Sequence, residues 1–322
     1  MQATSYGSRS YGSRSCGSRS CGSRLRHAVS VPRLFCSLSA RSILLAAVLT
    51  LGAGCVSTPD RDAIPTFRAG ASTANQQSQT AFADINTFLR QQQIERAARL
   101  PTLNEQAFFT PLASEDVAKW SNAFGLIDAY AATLEKLLDP ARRAETERAL
   151  SELGEKIGDV RDDRLPPGIA AGFTQLGGIL VQIKAEKDAL AAMRKADPAV
   201  QDVFSAMMDA IGESPSDGVR GTVASSWTTV LAQIQIEFLG AQGIEAKRDT
   251  ATRYVTTLDQ RDAQDASLAS LRRSFGLLAV AHRELAAGRA PSAQRMLDAI
   301  QQEYLAFRQR EESLQNAKGA AP

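Results

Sequence analysis

Beyond residue 70, apolar positions recur at three-four spacing and never alternate with period two for long. That periodicity belongs to amphipathic helices rather than half-buried strands, so the chain reads as an all-α fold, an antiparallel bundle of about seven or eight helices with coiled-coil-like packing. Phe82, Ile85 and Leu89 lie in a helix expected over 71–99, ending before Pro101. Val117, Trp120, Phe124, Ile127, Ala131, Leu134 and Leu138 form a heptad seam, with Ser114 as cap and Glu115 and Asp116 in the first turn. Asp139-Pro140 closes that helix and opens another, striped by Leu150, Leu153, Ile157 and Val160. After the Leu165-Pro166-Pro167-Gly168 loop, a helix carrying Ile169, Phe173, Leu176, Leu180 and Ile183 is expected to end near Asp197-Pro198. The same Asp-Pro pair would start a short helix with Val203, Phe204, Met207 and Ile211.

Val219 to Ala287 contains no proline. One unbroken helix there would run about 105 Å. Gly240 and Gly243 fall near its middle, and the heptad phase changes there, from Val223, Trp227, Val230 and Ile234 to Leu268, Leu271, Phe275, Leu278 and Leu285. Two helices are therefore expected, about 218–240 and 250–287, with a bend within 240–249 and the second folded back on the first. Leu297, Ile300, Tyr304, Phe307 and Leu314 stripe the last helix, which starts at Pro291, and 318–322 should fray.

The net charge of +2 conceals an asymmetry. Residues 1–54 hold seven arginines and no acid, which leaves 30 basic and 35 acidic side chains from 55 onward. Residues 5–24 are four copies of one pentapeptide, Ser-Tyr/Cys-Gly-Ser-Arg, which has nothing to bury in a core. They read either as a basic nucleic-acid-binding tract or as sequence upstream of the true start, and the segment that follows favours the second. Arginines 24, 26, 33 and 41 precede an apolar run from Ile43 to Leu51, too short to span a bilayer but of the length of a secretory signal.

The run exits through Leu51-Gly52-Ala53-Gly54-Cys55, which resembles the lipobox of bacterial lipoproteins. The pattern's usual leucine, three places before the cysteine, is Gly52 here, and Leu51 stands one place earlier. The resemblance implies cleavage before Cys55, lipid on Cys55, and, with Val56 rather than Asp next, retention at the outer membrane. The expected divisions are a repeat at 1–24, a signal at 25–54, a tether at 55–70 and a helical domain at 71–317.

Chemistry is sparse in the body. All four cysteines lie at or before residue 55, and His282 is the one histidine after it. Zinc sets, a Glu-x-x-His di-iron motif, a nucleophile elbow and phosphate-binding loops are missing from the sequence. No cofactor, metal or catalytic residue is expected. His282 falls on an apolar stripe and reads as a hydrogen-bonded core residue or as a pH sensor. Trp120 and Trp227 read as core. The Met207-Met208 pair reads as core filler or a soft contact surface. Run backwards by sevens, the last long seam reaches Arg261 and Gln264, flanked by Asp262 and Asp265. That polar layer is either a partner-contact or register-setting layer or a solvated projection.

These features point to a lipid-anchored envelope protein on the periplasmic face of the outer membrane. It would act by protein contact as an adaptor, scaffold or assembly factor, with an envelope protein as partner and no role for nucleic acid. Two other readings stand beside it: a hydrolase cutting cell-wall glycan with two carboxylates, and a membrane-active helical protein.

Overall fold

The computed structural model describes residues 62–319, with breaks at 99–100, 106–107, 109, 111, 140, 142, 159–163, 167 and 183–188. All belong to a unit spanning Val56–Pro322. The repeat, the signal segment, Cys55 and the start of the expected tether lie outside the described residues. Among the described residues eight helices follow one another: α1 (Ala63–Ala97), α2 (Ser114–Leu137), α3 (Arg143–Gly158), α4 (Ala170–Gln182), α5 (Ala189–Ile211), α6 (Gly218–Gly240), α7 (Gly243–Ala286) and α8 (Ala290–Gly319). The fold is an all-α bundle.

α7 is its axis. At 44 residues it is about 66 Å long, and it packs against α1, α5, α6 and α8. Its apolar seam of Leu268, Leu271, Phe275, Leu278 and Leu285 is buried. Rings gather around it: Trp120 stacks on Phe275 at 5.8 Å, and Phe88 on Trp227 at 4.2 Å. α2 lies on α1, and α3 and α4 form a pair that joins the rest through α2 and α5. The α3–α4 pair is close because Gly154 faces the backbone of Gly177. A Cβ on Gly154 would come within 2.9 Å of the Gly177 carbonyl oxygen.

The expected break in the long proline-free stretch is present and sharper than anticipated. α6 ends at Gly240, only Ala241 and Gln242 intervene, and α7 begins at Gly243 rather than near 250. Gly243 has φ +82°, a left-handed conformation that glycine adopts without steric cost. Both seams meet one core, as the phase change requires.

Several boundaries differ from the sequence expectation. α1 starts eight residues early, so 63–70 is helix rather than tether. Ile64, Phe67, Ala71 and Ala74 extend the buried stripe upstream, and Pro65 sits in the first turn, where a helix makes no use of the missing N–H. α8 reaches Gly319, past the expected fraying point.

The largest correction concerns Asp197-Pro198, which is no boundary at all. α5 runs through Pro198 from Ala189 to Ile211, and the chain between α4 and α5 falls at 183–188. A proline inside a helix costs about 3 kcal/mol. Against that, Ala192, Met193, Ala196, Ala199, Val200, Val203, Phe204 and Met207 form one buried stripe across it. Burying each larger apolar side chain contributes roughly 1.5–3 kcal/mol, so the continuous stripe wins.

Candidate functional site

The polar groups of the core are concentrated on α7. Thr257, Gln260, Gln264, Ser267, Ser270, Ser274 and His282 are all buried on it, and each described partner comes from within the chain. The column has three stations.

The first station is the polar layer expected at 261–265, which the structure splits. Gln264 is buried and its Oε1 accepts from Trp227 Nε1–H at 2.9 Å. Asp265 receives a two-pronged bond from Arg220 of α6, Nε and Nη2 each at 2.8 Å, and Arg220 also donates to the Glu213 carbonyl at 2.6 Å. Arg261 and Asp262 instead face outward and pair with each other at 2.7 Å. The buried arginine of this layer is therefore Arg220, not Arg261. The seam strand through Leu285, Leu278 and Leu271 stays buried to Gln264 and Thr257, whereas the strand through His282, Phe275 and Leu268 leaves the core at Arg261.

The second station joins α1, α7 and α8. Gln77 Nε2–H donates to Ser270 Oγ at 3.1 Å, Ser270 donates to Glu303 at 2.6 Å, and Ser274 donates back to Gln77 Oε1 at 3.0 Å. Arg273 clamps Glu303 with two further bonds. Its hydrogen bonding holds the Glu303 carboxyl below the ordinary range despite partial burial.

The third station is His282, which has no exposed surface. Nδ1 lies 2.8 Å from Asp197 Oδ1 and Nε2 lies 2.8 Å from Tyr130 Oη. Burial, helped by the nearby Asp197 charge, raises the Tyr130 hydroxyl well above the phenol range, so it keeps its proton. In the tautomer that carries its proton on Nδ1, the ring donates to Asp197 and accepts at Nε2 from Tyr130. Burial opposes ionisation of Asp197. The bonds from His282 and Gln201, with the charge of Arg283, overcome it and hold the carboxyl below its usual range. The triad binds α2, α5 and α7 together. It confirms His282 as a hydrogen-bonded core residue, and the sequence signalled neither partner. Tyr130 stands on α2 beside the seam residue Ala131, 152 residues from His282, and Asp197 reads from sequence as a helix cap.

Trp120 and Trp227 are core residues, as expected, at 5% and 0% exposure. Met207 is fully buried, and Met208 packs with its sulfur 3.3 Å from the Cβ position of Gly276. A cleft of about 460 Å³ is lined by Phe82, Leu112 and Trp120 together with Asp116, Lys119 and Thr222. Among the described residues that line it Asp116 is the one acid, and it is bound to Lys119 at 3.1 Å. Among the described residues no cluster of His, Cys, Asp or Glu could hold a metal ion, and no helix is long and apolar enough to cross a membrane.

Fold and site together define a helical bundle stitched by an internal polar column. No protein-family model, curated protein or solved structure matches the chain.

Proposed function

We propose that the protein is a lipid-anchored component of a bacterial cell envelope, held by Cys55 on the periplasmic face of the outer membrane and acting by contact with another envelope protein. The observation that carries this reading is the basic, then apolar, then small-residue segment ending at Cys55, followed within a few residues by a self-contained helical unit. The chemistry of the body supports contact over catalysis. Its histidine is sealed between two partners, Asp197, Asp265 and Glu303 are bound to histidine, arginine and serine respectively, and among the described residues the apolar cleft offers one carboxylate, paired with Lys119. Of the four residues read as a contact layer, Arg261 and Asp262 are the two on the surface and so within reach of a partner.

Replacing Cys55 with Ala should move the protein from the membrane fraction to the soluble envelope fraction. Unchanged detergent partitioning of that variant would overturn the anchor. In-cell crosslinking of the native protein, followed by its purification, should recover an envelope protein in stoichiometric amount.

A further inference from the structure

α6 differs from its neighbours in what it shows to solvent. Its inner positions, Val223, Trp227, Leu231 and Ile234, are buried. On the opposite face lie Thr222, Ser225, Thr229, Ala232, Ile236 and Leu239, all exposed and none charged. Their spacings are three, four, three, four and three, a second complete seam that no described residue covers. Ile236 is 63% exposed and Leu239 80%. A solvated helix face usually carries charge.

The stripe is graded in size. Its C-terminal half projects large side chains. Its N-terminal half is small and lies over a shallow hollow of about 580 Å³ lined by Ser216, Gly221, Thr222, Ser225 and Thr229. Gly221 makes room there, because a Cβ on it would come within 2.7 Å of the Ser216 carbonyl. The face is also prepared to lose water. On the stripe, Thr222 and Thr229 each donate to the carbonyl four residues back, so their hydroxyl protons are already used.

We infer that this face of α6 docks against the same face of a second copy of the chain, antiparallel about a twofold axis between Thr229 and Ala232. In that register each large residue meets a small one: Leu239 opposite Thr222, Ile236 opposite Ser225, Ala232 opposite Thr229, and the same three pairs again across the axis. A self-complementary patch of this kind closes as a dimer, and facing large with small fills the interface without voids. No charge of either sign is trapped on the stripe. A stripe of 18 residues by one helix width covers roughly 270 Å² a side, about a third of what a standard interface buries per partner. The dimer is therefore weak and concentration-dependent. Confinement on a membrane would raise its population, but the inference does not rest on the anchor.

Sedimentation of the unit Val56–Pro322 from about 10 μM to 1 mM, a span chosen for a contact well below the standard interface size, should show reversible dimerisation. Ile236→Glu and Leu239→Glu should each weaken it at least about tenfold, whereas Leu305→Glu, on exposed α8 surface, should not. Both α6 positions are exposed, so the variants keep the fold, which circular dichroism would verify. Register is read by crosslinking. The chain has no cysteine after residue 55, so single cysteines can be placed and joined with a short bismaleimide, in the purified unit and in the full chain in cells. Ala232→Cys, about 4.5 Å from its counterpart along the axis, should crosslink, and Ser225→Cys, about 16 Å away, should not. A monomer at every concentration, crosslinking at both positions, or capture of a different protein through Ala232→Cys would each overturn the inference. The purified unit begins after Cys55, so its dimerisation is independent of the Cys55→Ala result and the two readings fail separately.

Discussion

His282 shows how a single buried residue can tie three helices together. Its ring satisfies Tyr130 and Asp197 at once, so removing either partner leaves a buried polar atom without its bond, at a cost of about 1–3 kcal/mol. Tyr130→Phe should lower the unfolding free energy by that amount in urea titrations, with helicity unchanged. Asp197 adds a pH dependence. Its carboxyl is held below the ordinary value of 3.8 in the folded state. The stabilisation is therefore complete above that value and fades as pH falls through the lower, folded one. Asp197→Asn should be about 1–3 kcal/mol less stable than the parent near neutrality, and the gap should narrow below pH about 4. A gap that stays constant down to pH about 2 would remove the charge from the explanation. The sequence placed His282 correctly on a seam, because burial follows periodicity. It was silent on the partners, because contacts across 85 and 152 residues leave no local trace.

At the scale of helices, the legible features were those where local chemistry and packing agree. Gly240, Gly243 and the shift in heptad phase all pointed to one break, and the break is there. Pro198 is the opposite case. Asp-Pro is a strong local boundary signal, yet a stripe of eight buried side chains carries α5 straight through it. The proline then occupies a helix interior only because tertiary burial outweighs it. Pro198→Ala should accordingly stabilise the protein, by up to about 3 kcal/mol, provided the extra freedom it gives the unfolded chain does not offset the gain. A lower melting temperature for that variant would mean the ring itself is needed for packing. Gly154→Ala should act in the other direction. Its new methyl meets the Gly177 carbonyl oxygen and Val181, and overpacking of this kind costs about 1–3 kcal/mol. The start of α1 was missed for a related reason: two prolines and a run of polar residues looked like a tether, while Ile64 and Phe67 were already in phase with the buried stripe.

For the whole molecule, the seam run backwards by sevens reaches Gln264 and Arg261 and leaves open whether that layer is packed or solvated; the structure divides it, burying Gln264 and turning Arg261 outward, because the two strands of a seam need not stay buried together. Arg220 could supply the layer's cation only once α6 had folded back, a relation that sequence spacing within α7 could not express.

The long axial helix has a further consequence for how the molecule opens. Every buried residue of α7 lies at or beyond Thr257, and the last one on α6 is Ile234. The fourteen residues from Gly243 to Thr256, with the end of α6, thus form a two-helix arm about 20 Å long, held by Arg253–Glu237 and by Gln235–Tyr254 at 3.3 Å. Amide exchange should not be uniform along this one continuous helix. Amides before Thr257 should exchange by local opening within the native state, while those from Leu268 to Leu285 should exchange only when the whole unit unfolds. The protection boundary would fall inside an unbroken helix, marking where the bundle's cooperativity stops.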